Sequence, residues 1–588
     1  MQFVQSVWAA RLTFPDGRLA RGSSHEVAKF LAAECRELNT GWRLKLTLGK
    51  EKRFLIPIGG MTMFRSNQYR RSVSLITALL SVLLGGCASW LRAEVKLPRV
   101  ISNNMVLQQG MRVAIWGWAA PQESVKVSFR DQRATTTASA EGRWRIQLSP
   151  LNAGGPDDLV VSGKNTIRVK NVLVGEVWVC SGQSNMEMHV GPMETWRNKG
   201  VINAEQEIAS AHFPSIRMFT VTKATATKPQ EDVEGDWREA SPVTVGDFSA
   251  VGYFFARELH KAMGVPVGML HSSWGGSIAE AWTSRGALES DPELKTFFDD
   301  DASKLDAYFR DLADFEKKYQ DWKVTSGQAE AAGKPVPPPP FFPWDYRVNK
   351  HRPSGLYNAM MAPLTPYAIK GAIWYQGESN TDRSIQYRKL FALMIRDWRR
   401  AWGLEDFPFL FVQLANFEGM GPDYYWPLLR EAQLMTLRLP KTGMAVTVDI
   451  GETHDIHPRN KQELGRRLAL AAQGVAYGHK VVYSGPTYRS SNTEGEAVRV
   501  SFDQVDGGLI AQGGSLRGFQ IAGQDRKFVP AEAKIVGETV VVRSSQVKQP
   551  VAVRYGWTDD PACNLYNQSG LPASPFRSDD WPIEGFTK

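Results

Sequence analysis

The chain has 588 residues, too many for one hydrophobic core, so two to four domains are expected. Its 43% hydrophobic and 22% charged content is that of soluble globular protein. The formal charge of +9 sits in residues 1–93, where 14 Lys/Arg face 5 Asp/Glu; residues 94–588 balance at 56 to 56, so the charge gives no support to a nucleic-acid partner.

Residues 1–62 read as upstream sequence, with translation starting at Met61 or Met63; a cytoplasmic extension is the alternative. Residues 63–93 have the organisation of a leader. A charged stretch, 65–71, precedes an apolar run, 72–84, too short to span a bilayer comfortably. The run ends in Leu84-Gly85-Gly86-Cys87, which resembles the lipobox of bacterial lipoproteins. That resemblance implies lipidation of Cys87, and Ala88-Ser89, without aspartate, implies the outer membrane. Cleavage after Ala93 is the alternative. Either route predicts an exported protein, and on the first it meets a membrane only through the lipid anchor.

Residues 94–170 alternate as a small β-sandwich does: Val125, Val127 and Phe129, then Trp144, Ile146 and Leu148. Residues 171–480 switch to strand–helix alternation. Strands are expected at 172–180, 265–271, 369–375, 408–415 and 444–450, and helices at 248–262, 385–402, 426–438 and 459–476. That order predicts a parallel sheet covered on both faces. An insertion at 286–354 carries Leu305, Tyr308, Phe309, Leu312, Phe315, Tyr319 and Trp322 at helical spacing, then a Pro-rich connector at 335–340. The stripe predicts a helix packed on the main domain; the alternative is a wall of a substrate cleft. Residues 481–588 return to β alternation, as in Val498, Val500 and Phe502.

In open parallel sheets, ligands bind beyond the carboxyl ends of strands. Four loops with reactive residues fall there. Gly182-Gln183-Ser184-Asn185-Met186 follows the first strand, and His271-Ser272-Ser273-Trp274-Gly275-Gly276-Ser277 the second. Trp374-Tyr375-Gln376-Gly377-Glu378-Ser379-Asn380 follows the third, and the loop with Glu452 and Asp455-Ile456-His457-Pro458 the last. A serine lifted by a tight turn, a histidine base and amide donors are what acyl transfer needs. Ser184 is the candidate nucleophile and His457 the candidate base, with His454 as competitor. Asp455, Glu452, Asp449 or a backbone carbonyl could orient the imidazole. Backbone N–H groups of Ser184 and of Gly275 or Gly276, with the Asn380 amide, are candidate oxyanion donors. Gln183, Trp274, Gln376 and Glu378 are candidate substrate contacts. The four cysteines, Cys35, Cys87, Cys180 and Cys563, have no zinc-site spacing. Neither a metal nor another cofactor is expected, Cys180 reads as a buried hydrophobe, and nothing argues for a Cys180–Cys563 disulfide.

These four motifs together resemble the sialate O-acetylesterase family of the SGNH hydrolases, over roughly residues 94–588. The resemblance includes Asn103-Asn104-Met105-Val106-Leu107-Gln108, Asn564-Leu565-Tyr566-Asn567 and Leu571-Pro572-Ala573-Ser574-Pro575-Phe576-Arg577. It implies a flavodoxin-like three-layer αβα domain with flanking β-sandwiches. It implies a serine esterase that removes O-acetyl groups from sugars without a metal, through a covalent acetyl-enzyme. Matched by position, Ser184 is the nucleophile, His457 the base, and Gly276 and Asn380 the oxyanion donors. The family spacing Asp-x-x-His is not kept, because His454 stands three residues before His457. The family name points to sialic acid, while related bacterial chains act on plant cell-wall polysaccharides. No Arg/Lys cluster stands beside the motifs, whereas Trp274, Trp282, Trp374, Tyr375, Tyr424, Tyr425 and Trp426 do, which favours a neutral glycan such as xylan or xyloglucan. An inactive carbohydrate-binding lipoprotein and a lipase are the other readings.

Overall fold

The computed structural model describes residues 94–583 except 195–198, 405, 420 and 423; before residue 94 it describes only four strands. Residues 1–92 and 93–588 form separate units. In the first, Ala10–Thr13 pairs with Leu19–Gly22, and Arg43–Leu48 with Lys52–Pro57, both antiparallel. The leader 63–93 and Cys87 lie outside the described residues.

The second unit is mixed α/β with a large central sheet and further sheets. Its organising element is the strand β1, Thr166–Gly182, 17 residues long. The first part of β1 has exposed residues between partly and fully buried ones, as a sheet with one wet face requires; from Val172 every residue is buried. The first part pairs antiparallel with Gly154–Ser162, and Leu173 to Gly175 pair in parallel with Val106–Gln108. The last part lies between two parallel neighbours. The strand thus passes unbroken through the point where the sequence pattern changes.

Six more strands complete this region: β2 (Phe213–Val221), β3 (Gly235–Ala240), β4 (Val267–Ser273), β5 (Gly371–Tyr375), β6 (Phe409–Val412) and β7 (Thr442–Ala445). Their order is β3-β2-β4-β1-β5-β6-β7, parallel except for β3. The sequence pattern does not predict β2 and β3. β3 is the edge strand, where solvent tolerates Asp236, Arg238 and Glu239 and erases the apolar signal, whereas β2 is paired on both sides. The strand expected at 444–450 ends at Ala445, and the chain beyond it forms the loop that carries His457.

Five helices bear on the argument: α1 (Ala250–Met263), α2 (Phe297–Ala331), α3 (Ser384–Trp402), α4 (Tyr425–Thr436) and α5 (Lys461–Val475). Side chains alternate across a strand, so Trp178 and Trp374, which stand in register with Gly371 and Ser181, point to opposite faces. Trp178 meets Phe255 of α1, and Trp374 meets Phe391 and Trp398 of α3. Helix α5 is capped by Asn460, whose side chain accepts from Glu463 N–H.

Helix α2 runs 35 residues, about 52 Å at 1.5 Å per residue, yet Tyr308 is its one buried residue. The expectation that its aromatic stripe packs on the main domain is corrected. The stripe is covered in part by its own Pro-rich segment: Phe315 meets Phe342 at 4.9 Å, and Trp322 Nε1 donates to Pro337 O at 2.8 Å.

The C-terminal region holds two four-stranded sheets that share a core of Val498, Val500, Phe519, Ile521, Val540 and Val553. Cys180 and Cys563 are free thiols, and Cys180 is fully buried.

Candidate active site

The turn after β1 is fixed by Gly182. Its φ of +142° is outside the range of ordinary side chains, and a Cβ there would collide with the Tyr375 carbonyl. Ser184 then opens a single helical turn, Ser184–Glu187, so its N–H has no acceptor within that turn. Ser184 is 9% exposed.

Asn185 connects the two ends of the chemistry. Its Nδ2 donates to Ile456 O at 2.9 Å and to Glu378 Oε1 at 2.6 Å. The residue after Ser184 therefore holds the carbonyl before His457. Behind it, Lys461 Nζ donates to Asn185 Oδ1 at 2.6 Å and lies 5.0 Å above the Tyr375 ring. Lys461 is buried, and burial lowers its ammonium to about 7. Burial raises the Glu378 carboxyl.

The His457 ring is largely buried. Burial and then the Lys461 charge lower its pKa from the ordinary value, against the opposing pull of Asp455 and Glu187. Asp455 Oδ1 accepts the His457 backbone N–H at 2.8 Å and stands 3.7 Å from Nδ1. The rival acids are occupied. Asp449 makes a two-pronged pair with Arg467 at 2.6 and 2.7 Å, and Glu452 Oε1 accepts Arg459 N–H at 2.9 Å. His454 is exposed and its Nδ1 binds Glu418 at 2.6 Å, whereas His457 is largely buried.

The glycine loop reaches the same place. Trp274 N–H donates to Gly182 O at 3.1 Å. Gly275 N–H donates to Glu187 Oε2 at 2.5 Å, a correction to its assignment as an oxyanion donor, since a carboxylate already holds that hydrogen. Gly276, at φ +69°, has a carbonyl 2.7 Å from His351 Nε2. No hydrogen bond from its N–H is found among the described residues.

The Asn380 amide is mostly committed. Its Oδ1 accepts from Ala279 N–H and Gln376 Nε2, and its Nδ2 donates to Glu280 at 3.0 Å, which leaves one hydrogen.

Three candidate substrate contacts are corrected. Gln183 Oε1 accepts Gly377 and Ser379 N–H. Gln376 is fully buried between Asn380 and Tyr387. Glu378 turns inward to Asn185. Each stitches one loop to the next, because a buried polar group must find a partner. Trp274 stays half-buried at the surface. The aromatic cluster also shrinks: Trp282, Trp374, Tyr375 and Trp426 are core, leaving Trp274, Tyr424 and Tyr425 partly exposed.

Sequence reading missed Glu187, Lys223, Lys350, Asn185 and Lys461. Lys223 pairs with Glu187, and Lys350 with Gly275 O. Burial, with Lys223 nearby, lowers the Lys350 ammonium against the pull of Glu187. Spacing offers a signal only for Glu187, three residues after Ser184, and Lys461, four after His457. Among the described residues, no three His, Cys, Asp or Glu side chains are grouped to hold a metal ion.

A family model described as carbohydrate esterase, sialic acid-specific acetylesterase, matches residues 346–473. Sialate O-acetylesterase of Mus musculus is 31% identical over 81% of this chain and 93% of its own length; that of Homo sapiens is 30% identical over 81% and 91%. A crystal structure of a novel carbohydrate acetylesterase from Xanthomonas citri is 39% identical, covers 83% of this chain and 100% of its own, and superposes with a TM-score of 0.70. Fold, site and likeness define a carboxylic ester hydrolase. The chain belongs to the sialate O-acetylesterase family.

Proposed function

We propose that the chain is a serine esterase that removes O-acetyl groups from carbohydrate through an acetyl-enzyme on Ser184. The observation that carries this is the 2.9 Å bond from Asn185 to Ile456 O, which sets the nucleophile turn against the base loop. Ser184 Oγ attacks the acetyl carbonyl and passes its proton to His457. The Ser184 and Gly276 N–H groups, with the remaining Asn380 hydrogen, face the oxyanion. Collapse expels the sugar oxygen, which takes the proton back from His457. Water, deprotonated by His457, then attacks the acetyl group, and acetate leaves as Ser184 regains its proton. Asp455 orients the ring and balances the imidazolium. The sheet order supports a flavodoxin-like three-layer domain, and the paired sheets on either side support flanking sandwiches.

The substrate we favour is a neutral O-acetylated polysaccharide such as xylan or xyloglucan, over O-acetylated sialic acid. The two ammonium groups nearest the glycine loop support this, because Lys223 is spent on Glu187 and Lys350 on a backbone carbonyl. Acetate release by wild type and Ser184→Ala tests the mechanism. The variant should lose nearly all turnover while keeping its melting temperature, and near wild-type turnover overturns the assignment. We further propose export as a lipoprotein; a lipid precursor should label the protein at Cys87, and Cys87→Ser should abolish the label.

A further inference from the structure

A pocket opens where the insertion returns to the main domain. Thr225, Arg285, Asp301, Arg347, Ser354 and Asn358 line it, and its empty space, open mouth included, is about 440 Å³. Ser354 is 2% exposed, and its hydroxyl has no hydrogen-bond partner among the described residues. A buried hydroxyl without a partner costs free energy that a ligand hydroxyl would recover.

The charges around the pocket are matched. Arg347 forms two bonds to Asp345 at 2.9 and 2.8 Å, Arg352 two to Asp301 at 3.0 and 2.9 Å, and Arg285 one to Glu289 at 2.7 Å. An anion would have to compete with three ion pairs already made. A neutral polyol finds guanidinium N–H donors, carboxylate and amide acceptors and a hydroxyl in one place, the mixed lining that paired sugar hydroxyls require.

The pocket is joined to the catalytic loops by one short segment. Lys350 and His351 hold the Gly275 and Gly276 carbonyls, and Ser354 follows four residues after Lys350. Four residues span at most about 14 Å, so the pocket and the catalytic loops lie within the reach of one oligosaccharide.

We propose that this pocket is a subsite for a neutral sugar unit distant from the acetylated one, so that the substrate is an oligo- or polysaccharide rather than a monosaccharide. The proposal rests on the carbohydrate reading above and deepens it.

The test is calorimetric binding to the full chain carrying Ser184→Ala, which needs no ester cleavage. The probes are xylohexaose, a xyloglucan oligosaccharide, xylose and free sialic acid. A Cβ at Gly355 would sit 3.5 Å from Arg352 Cβ and 3.9 Å from Thr225 Cβ without collision, so Gly355→Leu fills the pocket. At least one neutral oligosaccharide should bind about tenfold or more tighter than xylose, and Gly355→Leu should erase that gain. Ser354→Ala should weaken it severalfold, as loss of one hydrogen bond does. Equal binding of oligomer and monomer overturns the subsite. So does full oligosaccharide binding by a Gly355→Leu protein of unchanged melting temperature, and so does sialic acid binding best. If wild type releases no acetate from any acetylated glycan while the Gly355-dependent binding persists, the esterase reading falls and the subsite stands.

Discussion

Asp455→Asn isolates the charge behind His457. The asparagine oxygen can keep the 2.8 Å bond to the His457 backbone N–H, so the loop stays in place and only the carboxylate charge is lost. Near 4 Å, opposite charges attract by about 1 kcal/mol in water and about 4 kcal/mol near a protein surface. The observed separation is 3.7 Å, with His457 largely buried and Asp455 half exposed, so a value between the limits applies. About 2.5 kcal/mol corresponds to a loss of roughly two orders of magnitude in kcat, at about 1.4 kcal/mol per factor of ten. KM should change little, because the imidazolium exists only after attack. The acid limb of the pH–rate profile should move to lower pH, since Asp455 raises the His457 pKa. Acetate release followed from about pH 4 to 8 reads both effects. Near-normal turnover with an unmoved acid limb, or a greater loss in Glu452→Gln, would refute the reasoning.

Lys461→Met should move the acid limb the other way, because the Lys461 charge lowers the His457 pKa. It should also change stability with pH. The native ammonium titrates at about 7 against 10.5, so between those values the unfolded chain binds more protons and this group makes wild type more stable as pH rises. The stability gap between variant and wild type, read by denaturant unfolding, should therefore shift in favour of wild type across that window; a constant gap contradicts the buried charge. Gly182→Ala should lower stability by about 3 kcal/mol or more through its forced φ and the collision with Tyr375 O. A midpoint shift under about 0.5 kcal/mol would mean the turn adapts.

The parts legible in sequence are those made by contiguous residues. β4, β5, α1, α3 and α5 announce themselves by apolar runs or helical periods, and Ser184 by the small-residue turn around it. What sequence hides is made between segments. Nothing near Gly275 says that its N–H will meet Glu187, 88 residues earlier, and nothing near His457 says that Asn185 will hold its loop. The amides of Gln183, Gln376 and Asn380 look available in one dimension and turn out to be ties between loops. The aromatic stripe of α2 misleads for a related reason: helical spacing shows that a face will be covered, but not by what, and here part of the cover is the proline segment of the same insertion.

The continuity of β1 has a consequence for synthesis. Its upstream neighbours, Val106–Gln108 and Gly154–Ser162, leave the ribosome before it does, so its first part can dock at once. The neighbours of its last part are β4 and β5, and β5 ends at Tyr375, nearly two hundred residues after Gly182. Until then the fully apolar stretch from Val177 to Cys180 has an open edge. At about 5–20 residues per second, that interval lasts on the order of ten seconds or more. The nascent chain thus carries a hydrophobic strand with at least one edge unpaired for that time, a demand on chaperones that the finished fold no longer reveals.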